Sequence, residues 1–240
     1  MNIQRWEEYQ SFFQLIILRY LVVWFSLVPV VASFVSQFPD TLPVTISGIT
    51  YQIELTLPFN WQLLWIASLF FVISLGIYKA RCPKFIHKYN NYSDYSSYQH
   101  HPRWLTSEMH MLLKIANKKQ KKFLLKRLLD KKYVKKLDEN IPNNLCEKPI
   151  VLEKQTIINF KIENSSYQFG MPIIDIKNNN NIEKDIFYEI FGRYSESRSI
   201  SRFFIFLLLS IALVLFLVTL AQHIINGGAF TLSWLCGLFN

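Results

Sequence analysis

Residues 203–225 read FFIFLLLSIALVLFLVTLAQHII, an apolar run without one acidic or basic side chain other than a neutral histidine. Hydrocarbon about 30 Å thick is crossed by roughly 20 apolar helical residues, and a run of this length and purity has few other homes. Residues 60–78, NWQLLWIASLFFVISLGIY, form a second block. Trp61 and Trp65 stand at one end and Tyr78, Lys79 and Arg81 at the other, the residue types that settle at bilayer interfaces. Residues 20–38 form a third block, which contains Pro29; membrane helices tolerate proline because neighbouring groups satisfy the freed backbone. The alternative for each block is a core helix of a soluble protein. The expected fold class is a multi-pass α-helical membrane protein with a small α+β cytoplasmic insert.

Charge sets the expected orientation, because Lys and Arg concentrate in cytoplasmic loops. Residues 39–59 contain neither, only Asp40 and Glu54, whereas residues 79–202 carry 24 Lys and Arg against 13 Asp and Glu. The sequence therefore predicts residues 79–202 as a basic cytoplasmic domain, 39–59 as an external loop, and 20–38, 60–78 and 203–225 as transmembrane helices 1 to 3. Residues 226–240 remain as an apolar tail, external, interfacial or re-entrant. Residues 1–19 place Trp6, Tyr9, Phe13 and Ile16 at helical spacing, a cytoplasmic amphipathic segment before the first span. Glu7 and Glu8 make a poor signal-peptide start and the apolar stretch runs past Val35, so the segment reads as a retained anchor in a cell inner (plasma) membrane. Cys82, Cys146 and Cys236 are far apart and form no CxxC pair, consistent with a reducing compartment.

Between the spans the pattern changes. In the external loop, Tyr51, Ile53, Leu55 and Leu57 alternate with polar residues, and Ser47-Gly48 is a two-residue turn, which predicts a β-hairpin. Residues 82–103 read as a polar, Tyr-rich connector between Pro83 and Pro102. Residues 104–137 read as one helix capped by Thr106 or Ser107. Residues 149–177 hold three strand-like runs, PIVLE, TIINFKIE and YQFGMPIIDIK. An Asn-rich linker at 178–181 leads to a short helix at 183–191, ended by Gly192.

One local feature stands out as a candidate site. Lys118, Lys119, Lys121, Lys122, Lys126, Arg127, Lys131 and Lys132 crowd one predicted helix, with Phe123, Leu124, Leu128 and Tyr133 as its apolar stripe. Such a helix meets anionic lipid headgroups, nucleic acid through counterion release, or an acidic protein surface; the bland alternative is a solvated face that only enforces topology. A second feature lies in the first span, where Arg19, Ser26, Pro29, Ser33 and Ser36 fall near one side of an apolar helix. Polar groups at membrane depth usually face other helices or a water-filled cavity, so this stripe is a candidate oligomer or pore-facing surface, with ordinary packing as the alternative. Cys82, His87, His100, His101 and His110 match no zinc spacing, and no metal or cofactor is expected. There is no P-loop, GxGxxG, HExxH or GxSxG, and no inverted repeat, so neither an enzyme nor a secondary transporter is expected.

The layout, with spans at both ends, a basic Asn- and Lys-rich insert and no enzymatic motif, resembles the small membrane subunits of bacterial anti-phage defence systems. These include retron transmembrane effectors and the KwaA-like component of Kiwa systems. The resemblance is one of architecture and transfers no individual residue. It implies a non-enzymatic plasma-membrane protein, a homo-oligomeric effector or sensor in the bilayer, with a cytoplasmic protein or protein–nucleic-acid partner and direct nucleic-acid contact within reach. The alternative is a membrane scaffold, or an immunity or exclusion protein, that acts by binding one partner.

Overall fold

A computed structural model describes residues 4–16, 41–46, 49–54, 60–137, 148–163, 165–173 and 179–238, together with isolated positions between 20 and 38. The chain divides into two units. The first comprises Met1–Gln4, Ser11–Arg81 and Ile200–Asn240, and the second Arg5–Gln10 and Cys82–Ser199.

The first unit is built on long apolar helices. Helix α1 (Trp6–Gln14) contributes its last residues to it. Strands β1 (Thr41–Ile46) and β2 (Ile49–Glu54) pair antiparallel, with Ile46 opposite Ile49; the expected Ser47-Gly48 turn lies outside the described residues. Helix α2 (Trp61–Arg81) and the C-terminal helix, numbered α8 below (Ser199–Leu238, 40 residues), are the two helices among the described residues that are long and apolar enough to cross a membrane. They meet where Phe71 packs against Ala212, with Phe13, Phe70 and Leu209 around them; a small residue there lets helix backbones approach. Hydroxyls inside these helices bond to their own backbone. Ser68 Oγ donates to Trp65 O at 2.6 Å, Ser74 Oγ to Phe71 O at 2.8 Å and Thr219 Oγ1 to Leu215 O at 2.9 Å, so these three hydroxyl protons have acceptors in an apolar setting.

Two boundaries differ from the sequence reading. Helix α8 does not stop at residue 225 but continues through the tail to Leu238, about 60 Å at 1.5 Å per residue. Gly227 and Gly228 sit within it, each costing about 1 kcal/mol of helix propensity relative to alanine. Of the expected first span, Tyr20, Val23, Leu27, Val30, Val31 and residues 33–35 are described and are helical, and Gln37 and Phe38 turn after them; the other positions of 20–38 lie outside the described residues.

The second unit is α+β. It contains α3 (Lys84–Lys88), α4 (Tyr92–Ser97), α5 (Arg103–Ile115), α6 (Lys118–Asp130) and α7 (Asn179–Ser195). Its sheet is antiparallel, in the order β3 (Val134–Leu137), β6 (Ser165–Met171), β5 (Thr156–Ile162), β4 (Ile150–Val151). In the central pair Ile158 faces Phe169 and Thr156 faces Met171, and these four are buried. Helix α5 covers that face with Leu105, Met109, Leu112 and Leu113, and Thr106 Oγ1 donates to Thr156 O at 3.2 Å. Helix α7 presents Ile186, Phe187, Ile190, Phe191 and Tyr194 to the same core, the i, i+4, i+8 spacing of one helix face.

Four expectations are corrected in this unit. The stretch 104–137 is two helices and a strand, not one helix. It breaks at Ala116–Asn117 because Asn117 caps the second helix, and the Val134–Leu137 run pairs with β6. Helix α5 starts at Arg103, ahead of the expected Thr106 or Ser107 cap, and Thr106 instead turns inward to the sheet. Asn179, Asn180 and Asn181 of the expected Asn-rich linker form the first turn of α7, which runs past Gly192 to Ser195. The connector 82–103 is core material: Phe85, Tyr89 and Tyr95 are buried against Phe187, with ring centroids 5.1 to 6.3 Å apart.

The amphipathic N-terminus is also spoken for by protein rather than by lipid. Trp6 and Tyr9 are buried, and Trp6 Nε1 donates to Ser197 O at 2.9 Å. A tryptophan N–H that is removed from water takes such a carbonyl partner, so Trp6 and Tyr9 of that face meet protein, whereas Ile16 is exposed.

Candidate partner-binding site

Helix α6 begins with a capping box. Asn117 Oδ1 accepts from Gln120 N at 2.9 Å, and Gln120 Oε1 accepts from Asn117 N at 3.2 Å. Its end is a Schellman turn, with Lys132 N donating to Leu129 O at 2.9 Å and Tyr133 N to Leu128 O at 2.8 Å. Lys132 occupies the left-handed position of that turn, φ 59°, where glycine is the usual residue. The buried stripe is Leu124, Leu125 and Leu128. This corrects the expected stripe at one position. Phe123 lies one step off it, on the open side, with the Arg193 guanidinium 4.5 Å from its ring centroid.

The eight basic residues expected to form one patch fall into three groups. Arg127 donates through Nε and Nη2 to Glu189 Oε1 at 2.9 and 2.7 Å, and Lys131 Nζ lies 3.2 Å from Asp185 Oδ2 and 3.4 Å from Glu189 Oε1. Tyr133 donates its hydroxyl to Asp185 Oδ2 at 3.1 Å. These contacts clasp the end of α6 to α7, and the Glu189 carboxylate holds Arg127 charged more firmly than an isolated guanidinium. Lys122 reaches Glu163 at 3.3 Å in an exposed pair, the kind that salt and water weaken most. Lys118, Lys119, Lys121, Lys126 and Lys132 carry no ion pair among the described residues.

Two of those lysines, Lys119 and Lys126, border an open groove of about 710 Å³ between α6 and the β5–β6 hairpin. Lys119, Lys122 and Lys126 form its basic wall, Phe123, Leu125 and Tyr167 its apolar surface, and Glu163 stands at the hairpin turn in a left-handed conformation, φ 55°. Two non-glycine residues in that region, Lys132 and Glu163, each hold strain of order 1–3 kcal/mol. Chemically the groove suits a negatively charged partner that also brings an apolar group: the wall attracts it, and the floor gains from burial.

The second predicted feature cannot be assembled in the same way. Arg19, Ser26, Pro29 and Ser36 lie outside the described residues, and Ser33 is an exposed helical position. No three His, Cys, Asp or Glu side chains converge among the described residues.

A region that sequence reasoning passed over is the ring cluster of the second unit. Tyr98, His100 and Trp104 stack nearly parallel, at 5.5 Å and 1° for the first pair and 5.3 Å and 13° for the second. Lys88 Nζ sits 4.6 Å from the Tyr98 centroid and 3.2 Å from His100 Nε2. An ammonium has only protons to give, so Nε2 accepts and neutral His100 carries its proton on Nδ1; burial, then Lys88, lowers the His100 pKa. Nearby, burial raises the carboxyl pKa of Glu108, against the opposing hydrogen bond from Tyr194, at 3.3 Å. The signal available in the sequence was Tyr89, Tyr92, Tyr95 and Tyr98 at intervals of three, a helical spacing.

No protein family, curated protein or solved structure matches this chain.

Proposed function

We propose that this chain is a bilayer-embedded, non-enzymatic component of a bacterial antiviral defence system, an oligomeric effector or sensor that receives a negatively charged partner on α6. One observation carries the reading. Five lysines around α6, Lys118, Lys119, Lys121, Lys126 and Lys132, have no acid to neutralise them among the described residues, while Arg127 and Lys131 on the same helix do. Arg127 and Lys131 are held by the fold; of the lysines left over, Lys119 and Lys126 line a groove with an apolar floor. The partner is a cytoplasmic protein carrying nucleic acid, or an acidic protein surface. The apolar helices α2 and α8 supply the membrane-acting part, and association of copies through the first span supplies the oligomer.

The experiment follows from the grouping. Lys118, Lys119, Lys121 and Lys126 are changed together to Glu, leaving Arg127 and Lys131 so that the α6–α7 clasp survives. Protection against phage is measured in a host expressing the chain with its neighbouring genes, alongside a membrane-potential dye. The reading predicts full membrane insertion, lost protection and no depolarisation on infection. A reversed variant that protects like the parent removes α6 from the mechanism. A parent that protects without ever changing the potential favours the scaffold alternative.

A further inference from the structure

We propose that the hollow beside the Tyr98–His100–Trp104 ring stack is a binding site for a nucleotide, a planar base with its phosphate. The hollow measures about 290 Å³ and is lined by His100, His101, Arg103, Trp104, Ser107 and Val151, among others. That volume is at the lower end of the ~300–1,000 Å³ range of small-ligand pockets, room for one base and one phosphate. This site is separate from the α6 groove and does not rest on the reading above.

Three observations meet here. First, the stack is surface material: Tyr98 is 55% and Trp104 44% exposed, although large rings bury well. His100 covers part of Trp104 at 13° between planes, and the hollow opens beside the same two rings, so a planar ligand adds a further ring to a ladder already in register. Base–aromatic stacking is tolerant of sequence and worth about 1–3 kcal/mol per base. Second, the rim supplies donors. Arg103 already gives one N–H to the Glu153 carbonyl, which fixes its guanidinium, and its buried Nε has no partner. His101 is exposed beside it, and Ser107 brings a hydroxyl. Third, among the described residues no acid lines the hollow, whereas the α6 groove includes Asp130 and Glu163. A basic, hydroxyl-bearing rim without carboxylates next to an open aromatic face is the chemistry that holds a phosphate and a base together.

The test uses the full-length chain in detergent or nanodiscs. AMP, UMP, adenosine and ribose 5-phosphate are titrated by calorimetry, together with a labelled single-stranded oligonucleotide. The proposal predicts that the mononucleotides bind, and that ribose 5-phosphate, which lacks the base, binds at least about tenfold more weakly. Trp104→Ala weakens nucleotide binding by about tenfold or more, and Trp104→Phe keeps most of it. Val151→Glu, an exposed position that brings a carboxylate to the rim, weakens AMP more than adenosine without touching the core. The oligonucleotide separates the sources: tighter binding than AMP assigns the site to the end of a strand, equal or weaker binding to a free nucleotide. Absence of mononucleotide binding at millimolar concentration overturns the proposal. So does binding unchanged in both Trp104→Ala and Val151→Glu, or oligonucleotide binding that survives them and disappears only on reversal of the α6 lysines.

Discussion

Helix α8 and helix α7 draw on the same apolar residue types and dispose of them in opposite ways. Along α8, Leu213, Val214, Leu217, Ile224 and Ile225 are exposed, and only 17% of its most apolar stretch is buried. Along α7, Ile186, Phe187 and Ile190 are fully buried, and half-exposed Asp185, with Glu189 buried beside it, meets the cations of α6. Apolar side chains turned inward with charges outward match water. Apolar side chains left outward around a helix match a surrounding that is itself apolar, or the faces of other copies. The two units of one chain thus present opposite surfaces, and the basic run of α6 belongs to the second.

That contrast can be broken by mutation. Phe187→Ala removes a fully buried ring that touches Phe85, Tyr92, Tyr95 and Phe191, and is expected to cost the second unit about 3–5 kcal/mol. Leu213→Ala on α8 is expected to stay within about 0.5 kcal/mol in a bilayer. Urea unfolding followed by near-ultraviolet circular dichroism of the reconstituted protein measures both; equal costs would erase the distinction. Gly170→Val comes next. A Cβ there would lie 2.9 Å from Ile157 Cγ2 and 3.2 Å from Gln155 Oε1, so overpacking is expected to cost about 1–3 kcal/mol, read in the same unfolding curves.

A smaller effect has the opposite sign. Lys132→Gly relieves the left-handed residue in the turn after α6 and is expected to stabilise the second unit by about 1 kcal/mol. If Lys132 belongs to the partner surface, the more stable variant also loses part of the partner's grip; stabilisation with undiminished phage protection confines Lys132 to the turn.

The smallest effect is a pH dependence. Burial raises the Glu108 pKa in the folded chain. Its stabilising contribution is therefore complete below the ordinary carboxyl range and is lost as pH rises through the raised value. Glu108→Gln keeps an acceptor for Tyr194 and removes that loss, so the variant gains stability relative to the parent as pH rises from 4 to 7. The His100 shift runs the other way: stability is complete above the ordinary histidine value and falls as pH drops below it. Parallel unfolding curves for parent and Glu108→Gln across that range would contradict the buried carboxyl.

How much of this was legible in the sequence follows the same divide. The long helices rest on apolar length, a signal that needs no neighbours, and Trp61–Arg81 could be read from residues 60–78 almost directly. The second unit depends on tertiary partners. Val134–Leu137 is short and lysine-bearing, and it becomes a strand because β6 offers it an edge. Trp6 and Tyr9 mark an amphipathic helix in the sequence but not that its apolar face meets protein. The split of the α6 lysines into paired and unpaired could not be read at all, because Asp185, Glu189 and Glu163 are 41 to 62 residues away. The ring stack was hidden by composition, since a Tyr- and Ser-rich stretch between two prolines looks like a linker until Phe187 is placed beside it.

The central claim is that the apolar helices cross a bilayer and leave the basic unit on its cytoplasmic side. The most direct test is a single cysteine at Lys118→Cys in a chain whose Cys82, Cys146 and Cys236 are replaced by Ser, probed with a membrane-impermeant maleimide. The account predicts no labelling in intact spheroplasts and full labelling after lysis. Labelling in intact spheroplasts would contradict it.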